Sequence, residues 1–389
     1  MDNAEILRQA LPSSTPMNFW NPDSSVASPV LRRFAALLEP VSDSGLERMA
    51  REAALLTRQN FGKAVRMFAP VYLSNECINS CTYCGFSREN AIVRVTLEVA
   101  QVVAEARHLK EQGFRSLLLV AGEHPKFVSH GYLEKCIAAV AAEVASVALE
   151  VAPLDTPDYR KMVLAGAEAL VVYQETYDPE HYAQLHLAGP KKDYAWRLGC
   201  PERGYEAGFR RIGIGALFGL CPWRLEALAL ARHLDHLLKR CWKAQFTVAF
   251  PRLRPCAGEF EPLYPVNDRD FTQLQCAFRL CFPQVGIVMS TREPAPLRDA
   301  LVPLGVTMMS AGSHTEPGGY TGQGKEALHH TVGGRQVALA ADVSAEGATE
   351  QFAIADERTP AEVAAALRRG GMEAVWKDWD PAIMGGGAA

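Results

Sequence analysis

Residues 71–121 read VYLSNECINSCTYCGFSRENAIVRVTLEVAQVVAEARHLKEQGFRSLLLVA. Two apolar runs, VYLS at 71–74 and SLLLVA at 116–121, flank a helical stretch that begins near Thr96. Val99, Val102, Val103, Ala106 and Leu109 recur at the spacing of one helix face, and Gly113 stands where a left-handed C-terminal cap is expected. A strand, a helix and a second strand in this order form a βαβ unit, whose strands run parallel.

The alternation continues outward. Strand-like runs recur as VALEVA (147–152), ALVVY (169–173), RIGIGAL (211–217), FTVAF (246–250), GIVMS (286–290) and VTMMS (306–310), with helical patterns between them. Eight such strands predict an α/β protein with a parallel sheet, and eight is the number that closes a (β/α)8 barrel of the TIM type. A doubly wound open sheet is the alternative. Residues 1–60 are expected to form an N-terminal helical extension, with Pro- and Ser-rich linkers around 11–29 and a helix from an N-cap at Ser44 to near Asn60. The barrel is expected over 61–317. Residues 318–389 are expected as a C-terminal extension: a Gly-rich loop or flexible insertion over 318–358, a helix from about Pro360 to Arg369, and a closing VWKDWD.

The chain has 389 residues, 48% hydrophobic and 22% charged, enough to bury a large core. Net charge is −4 and no Lys/Arg run stands out, so no nucleic-acid binding is expected. The N-terminus lacks a signal-like apolar segment, and no uninterrupted apolar stretch approaches the ~18 residues of a membrane span. A cytoplasmic protein without membrane attachment is expected. In that compartment its ten cysteines are free thiols or ligands rather than disulfides.

Three of them, Cys77, Cys81 and Cys84, form the group C-x3-C-x2-C directly after the first strand-like run. In a barrel that position is the catalytic face. Three thiolates in one loop can hold three irons of a [4Fe–4S] cubane and leave the fourth iron open to a substrate or cofactor. Three loop cysteines by chance, or a zinc site completed by His108 or His124, are the competing readings.

Polar residues follow several other strands, as the barrel reading requires. Gly122 and Glu123 follow the second run, Gln174 and Glu175 the fourth, Arg252 and Arg254 the sixth and Arg292 the seventh; Ser310 ends the eighth. Glu175 could meet ribose hydroxyls or an amine, or pair within the rim with Arg197 or Arg211. Arg292 is the candidate clamp for a substrate carboxylate, because a guanidinium offers two parallel donors, and Ser310 could add one more. Arg252 and Arg254 are alternative clamps. Tyr72, Tyr83, Phe86, Tyr173 and Tyr177 could wall a pocket or fill the core. His124 could act as a base or cofactor contact, or be structural.

The C-x3-C-x2-C group resembles that of the radical S-adenosylmethionine superfamily. The longer segment APVYLSNECINSCTYCGFSRENAIVRVTLE, together with LLLVAGEH, VYQETY, FPRLRPCAG, STREP, PGGY (317–320) and VWKDWD, is similar to the 2-iminoacetate synthases, the tyrosine lyases of thiamine biosynthesis. The likeness runs from about residue 40 to 380 and departs most over about 322–356. It implies a [4Fe–4S] cluster on the three cysteines and S-adenosylmethionine on its open iron. It also implies a 5′-deoxyadenosyl radical that takes a hydrogen from the tyrosine amino group, and cleavage of the Cα–Cβ bond to 2-iminoacetate and p-cresol. Ala121-Gly122-Glu123 looks like the family's Gly-Gly-Glu contact to the methionine amino group, with Ala in place of the first Gly. Tyr83, Glu175, Arg252 and Arg254 are expected near the cofactor, and Arg292 and Ser310 on the substrate carboxylate. Thiazole synthase as protein partner and flavodoxin or ferredoxin as electron donor are implied.

Three rival readings differ in testable ways. The [FeFe]-hydrogenase maturase that cleaves tyrosine carries a second cluster on C-terminal cysteines, and here no cysteine follows Cys281. A tryptophan lyase would give different products. A non-catalytic cluster-bearing scaffold would release no 5′-deoxyadenosine.

Overall fold

The computed structural model describes Phe19 and residues 28–332, 335–339 and 346–376. Of the linkers expected around 11–29, all but Phe19, Ser28 and Pro29 lie outside the described residues, as does VWKDWD from Lys377 onward.

The strand-like runs become β1 (Ala64–Ser74), β2 (Ser116–Ala121), β3 (Ser146–Glu150), β4 (Ala169–Glu175), β5 (Arg211–Ala216), β6 (Gln245–Ala249), β7 (Gly286–Met289) and β8 (Met308–Ser310). They pair in parallel in that order, and β8 returns to β1, with Met308, Met309 and Ser310 opposite Arg66, Met67 and Phe68. The sheet is therefore a closed barrel, not an open one. β1 starts earlier than its apolar run because Arg66 and Pro70 interrupt the pattern there. Most of the helical patterns between the runs form the outer layer; Val99–Glu111 buries Val102, Ala106 and Leu109, and Gly113 takes φ 104° at its end.

Among the described residues, two helices precede the barrel. In Asp43–Phe61 the N-cap is Ser42, whose hydroxyl accepts from the Gly45 amide at 3.2 Å; Ser44 lies within the first turn. The other, Pro29–Leu38, packs Phe34 edge-on against Phe278 at 4.7 Å, and Gln273 closes its end by donating to the carbonyls of Leu37 and Glu39.

The C-terminal extension is more ordered than a loop. It contains a hairpin of β9 (His329–Val332) and β10 (Arg335–Ala338), then a strap, 348–356, that crosses the barrel mouth. The helix Pro360–Arg369 follows the sequence expectation, with a Thr359/Glu362 capping box. Finally β11 (Glu373–Val375) pairs in parallel with Ala64–Arg66 of β1. Among the described residues no helix is long and apolar enough to cross a membrane.

Candidate active site

The loop after β1 is built on internal hydrogen bonds. Arg94 is 1% exposed and donates to the carbonyls of Asn75 (2.5 Å), Phe86 (3.3 Å), Ser87 (2.8 Å) and Asn90 (3.4 Å). Asn90 donates in turn to the carbonyls of Cys84, Gly85 and Ala257. A loop whose carbonyls are satisfied in this way can be buried and held in one shape.

Within it Cys81 is buried and Cys77 and Cys84 are half-buried, all as free thiols. Burial pushes the Cys81 thiol up to about 12, and the neighbouring Cys84 and Cys77 add to that. Asn79 Nδ2 points at Cys77 Sγ (3.6 Å) and Gln351 Nε2 at Cys84 Sγ (3.8 Å). Three adjacent thiols with N–H donors toward two of the sulfurs fit the thiolate ligands of an iron–sulfur cluster. The zinc reading lacks its fourth ligand: His108 bonds Gln112 on the outer layer of the barrel, and His124 Nδ1 accepts from the amides of Lys126 and Phe127. His124 also packs on Phe127 at 4.4 Å, and burial lowers its pKa.

The exit of β2 is zipped onto this loop. Gly122 donates its amide to the Ser74 carbonyl at 3.0 Å, and a Cβ there would lie 2.3 Å from the Glu76 carbonyl oxygen. Only glycine permits that approach. The Glu123 carbonyl accepts from Ile78, and its Oε2 accepts from Asn79 Nδ2 at 2.7 Å.

At the end of β4, Glu175 is buried with φ 71°, a left-handed conformation that turns its carboxylate along the rim. Lys191 (2.7 Å) and Arg197 (3.3 Å) both bond its Oε1, leaving Oε2 without a hydrogen bond among the described residues. Burial alone would raise this carboxyl, but the two cations hold it below the usual range. Arg211 pairs instead with Glu168. Lys191 also lies over the Tyr83 ring at 5.5 Å, and the Tyr83 hydroxyl bonds His186 Nε2 at 2.7 Å.

A cavity extends from Cys84 into the barrel between Tyr72, Glu150, Tyr173, Arg292, Ser310 and Phe352. Gly215 makes room for Tyr173, since a Cβ there would sit 2.7 Å from its ring. The Arg292 guanidinium lies on the Phe352 ring, 3.3 Å from its centroid, and among the described residues it makes no side-chain hydrogen bond or ion pair. Ser310 Oγ accepts from the Thr291 amide at 3.2 Å, which leaves its own hydrogen free to donate. Tyr72 donates to Gln351 Oε1 at 2.8 Å.

Arg252, expected near the cofactor, lies beside the cavity. It bonds both oxygens of Glu293, the Val266 carbonyl and Asp268, and it is not among the cavity residues. Most of its donors are thus engaged by the protein. Arg254 does line the cavity, with Nε on the Ala353 carbonyl. Of the aromatics, Tyr72, Tyr83 and Tyr173 line the cavity, while Phe86 packs edge-on behind Tyr72 and Tyr177 bonds His233 in the core. Sequence reasoning missed Glu150, Lys191, Gln351 and Phe352. Glu150 carried a signal, an acid at the end of an apolar strand; the others carried none.

Residues 71–230 match the radical SAM superfamily, and residues 249–373 match the biotin and thiamin synthesis associated domain. The 2-iminoacetate synthase of Escherichia coli is 42% identical, over 89% of this chain and 86% of its own. That of Salmonella typhimurium is 40% identical over the same shares, 89% and 86%. The [FeFe]-hydrogenase maturase HydG from Carboxydothermus hydrogenoformans shares the fold with a TM-score of 0.79 at 35% identity, covering 90% of this chain and 76% of HydG. At such identity over nearly its whole length, the chain belongs to the 2-iminoacetate synthases, radical S-adenosylmethionine enzymes that work with a [4Fe–4S] cluster.

Proposed function

We propose that the chain cleaves the Cα–Cβ bond of L-tyrosine, giving 2-iminoacetate for the thiazole of thiamine and p-cresol. When bound, the cluster and S-adenosylmethionine supply a 5′-deoxyadenosyl radical that removes a hydrogen atom from the tyrosine amino group, after which the Cα–Cβ bond breaks. Cys77, Cys81 and Cys84 would hold three irons. Gly122 and Glu123 stand beside the cysteine loop for the cofactor's amino group, and Glu175 Oε2 is free to accept from a ribose hydroxyl. Tyr83 and Arg254 close this half of the site.

The observation that carries the substrate reading is Arg292. Burial lowers its pKa, yet a guanidinium stays charged, so a cation with no hydrogen bond or ion pair to a protein carboxylate among the described residues sits in the cavity. A substrate carboxylate satisfies it with two parallel bonds, and Ser310 adds a third. Tyr72, Tyr173 and Phe352 exclude water around an aromatic side chain. Fixing the amine close to its reaction partner matters because small misplacements cost large factors in rate.

Anaerobic incubation with tyrosine, S-adenosylmethionine and reductant is expected to release p-cresol and glyoxylate, the hydrolysis product of 2-iminoacetate. Tryptophan in the same assay should give no cleavage; tryptophan-derived products without p-cresol would overturn the assignment. Arg292→Ala should raise the tyrosine KM ~10- to 100-fold, the loss of a charged hydrogen-bonding partner, while 5′-deoxyadenosine still forms without tyrosine. Cys81→Ala should abolish both the cluster absorbance and cofactor cleavage. The same reading makes thiazole synthase the protein that receives 2-iminoacetate, flavodoxin or ferredoxin the electron donor, and the cytoplasm the place of reaction.

A further inference from the structure

The acidic side chains around the barrel mouth divide into two kinds. Glu76 bonds His329 and Thr331, Glu123 bonds Asn79, Glu175 bonds Lys191 and Arg197, Glu226 bonds Thr176 and Glu293 bonds Arg252. Glu150 is different. It ends β3 at the level of Val120 in β2 and lines the cavity, and among the described residues its carboxylate accepts no hydrogen bond and forms no ion pair. Arg292, a cavity cation, likewise makes no side-chain hydrogen bond or ion pair among the described residues, whereas Lys191 holds Glu175 and Arg254 bonds the Ala353 carbonyl. One carboxylate and one guanidinium in a single aromatic-walled cavity, neither hydrogen-bonded through its side chain and each acting on the other only through its charge, match a ligand that carries both charges on one carbon, an α-amino acid.

We infer that Glu150 is a catalytic residue that receives the α-ammonium of the amino-acid substrate and takes one of its protons. The inference rests on the reading that Arg292 holds the substrate carboxylate. Its chemistry is simple. An ammonium has no lone pair to stabilise a radical forming on nitrogen, whereas a neutral amine has one. One proton moves from nitrogen to the Glu150 carboxylate, leaving an amine and a carboxylic acid; a hydrogen atom is then lost from the amine. The groups facing Glu150 are Glu175, Arg292, Arg197 and Lys191, with the hydroxyls of Tyr72 and Tyr173. Burial first, and then the charge of Glu175, push its carboxyl up to about 7, which suits a base that works near neutral pH. Glu175, which the sequence also offered to an amine, already neutralises two cations.

The test compares three ligands on anaerobically reconstituted enzyme with S-adenosylmethionine and no reductant, by calorimetry. They are L-tyrosine, 3-(4-hydroxyphenyl)propionic acid, which lacks the amine, and L-phenylalanine, which lacks the phenol. The wild type should prefer tyrosine over the amine-free acid by roughly 10- to 100-fold, as expected for a charged hydrogen bond. Glu150→Gln should erase that preference and keep any preference for tyrosine over phenylalanine; Glu150→Asp should retain part of it. With reductant, p-cresol release by the wild type should rise through about pH 7 and level off, while the Gln variant should keep rising above about pH 8 as free amine accumulates. A Gln variant that still discriminates against the amine-free acid, or that loses discrimination against phenylalanine instead, overturns the assignment. If its cluster absorbance shows that the Gln variant has misfolded, Glu150→Asp carries the comparison, and wild-type discrimination in it overturns the assignment. A wild type that binds no tyrosine overturns the substrate reading itself, and this proposal with it.

Discussion

Asp356 and Arg298 are both fully buried, at 0% side-chain exposure, and bond each other beneath the mouth. Arg298 also donates to the Ser310 carbonyl, and Arg358 reaches Asp356 at 2.7 Å. Through this pair the strap is tied to the residue proposed to hold the substrate. Burial would raise the Asp356 carboxyl, but the Arg358 hydrogen bonds and the Arg298 charge hold it below the usual range. A depressed carboxyl stabilises the fold above its unfolded-state value of about 3.9 and loses that contribution as pH falls through the folded-state value. Asp356→Asn leaves Arg298 buried without its anion, a change that costs about 3–5 kcal/mol. Thermal melts should therefore show a lower midpoint at pH 7 and a flatter decline below about pH 4; an unchanged midpoint would mean that the pair holds nothing. At this scale the sequence shows what strand-end position and residue chemistry can show. Cys84, Glu175, Arg292 and Ser310 line the cavity. Arg252 and Arg292 look alike in sequence, and only the fold gives Arg252 its anion, Glu293.

Among the elements, the strap was the hardest to read. Its Gly- and Ala-rich surroundings carry no periodicity, because its backbone amides donate to distant segments. Thr349 donates to Val93, Gln351 to Thr315, Ala353 to Pro255 and Ala355 to Thr291. The run SLLLVA and the helix Pro360–Arg369 carry their own patterns and were legible to the residue. What the strap delivers is the Phe352 face beneath Arg292 and the Gln351 amide between Tyr72 and Cys84. A guanidinium on a desolvated ring gains about 1–2 kcal/mol and, more to the point here, is held in one plane. Phe352→Ala should raise the tyrosine KM by roughly 5- to 30-fold and leave tyrosine-independent 5′-deoxyadenosine release unchanged. Steady-state kinetics on both products check this, and a fall in cofactor cleavage of similar size would place Phe352 in the cofactor half instead.

The whole molecule closes at a short seam. β8 meets β1 over only Arg66, Met67 and Phe68, whereas β2 pairs along β1 from Ala69 to Ser74. The seam lies at the end of β1 where β11 also pairs, at Ala64–Arg66; Arg66 faces Met308 on one side and Val375 on the other. Eight alternating runs announce a barrel, but a three-residue strand such as EAV carries too little pattern to be found in sequence. The Pro360–Arg369 helix and the segment after it anchor that strand by burying Val363, Leu367 and Met372, and Trp376 meets Phe114 edge-on at 5.1 Å. Burying three such side chains contributes about 5–9 kcal/mol, comparable with the roughly 5–15 kcal/mol that holds a whole domain folded. A chain ended after Arg358 keeps every residue of the mouth, yet it should lose most of its soluble yield and melt well below the full-length protein. In whatever remains folded, amide exchange should quicken at Ala64–Phe68 before it does at Leu117–Val120, because the first strand segment loses a partner and the second loses none. Uniform exchange across both segments would show that the seam does not depend on β11.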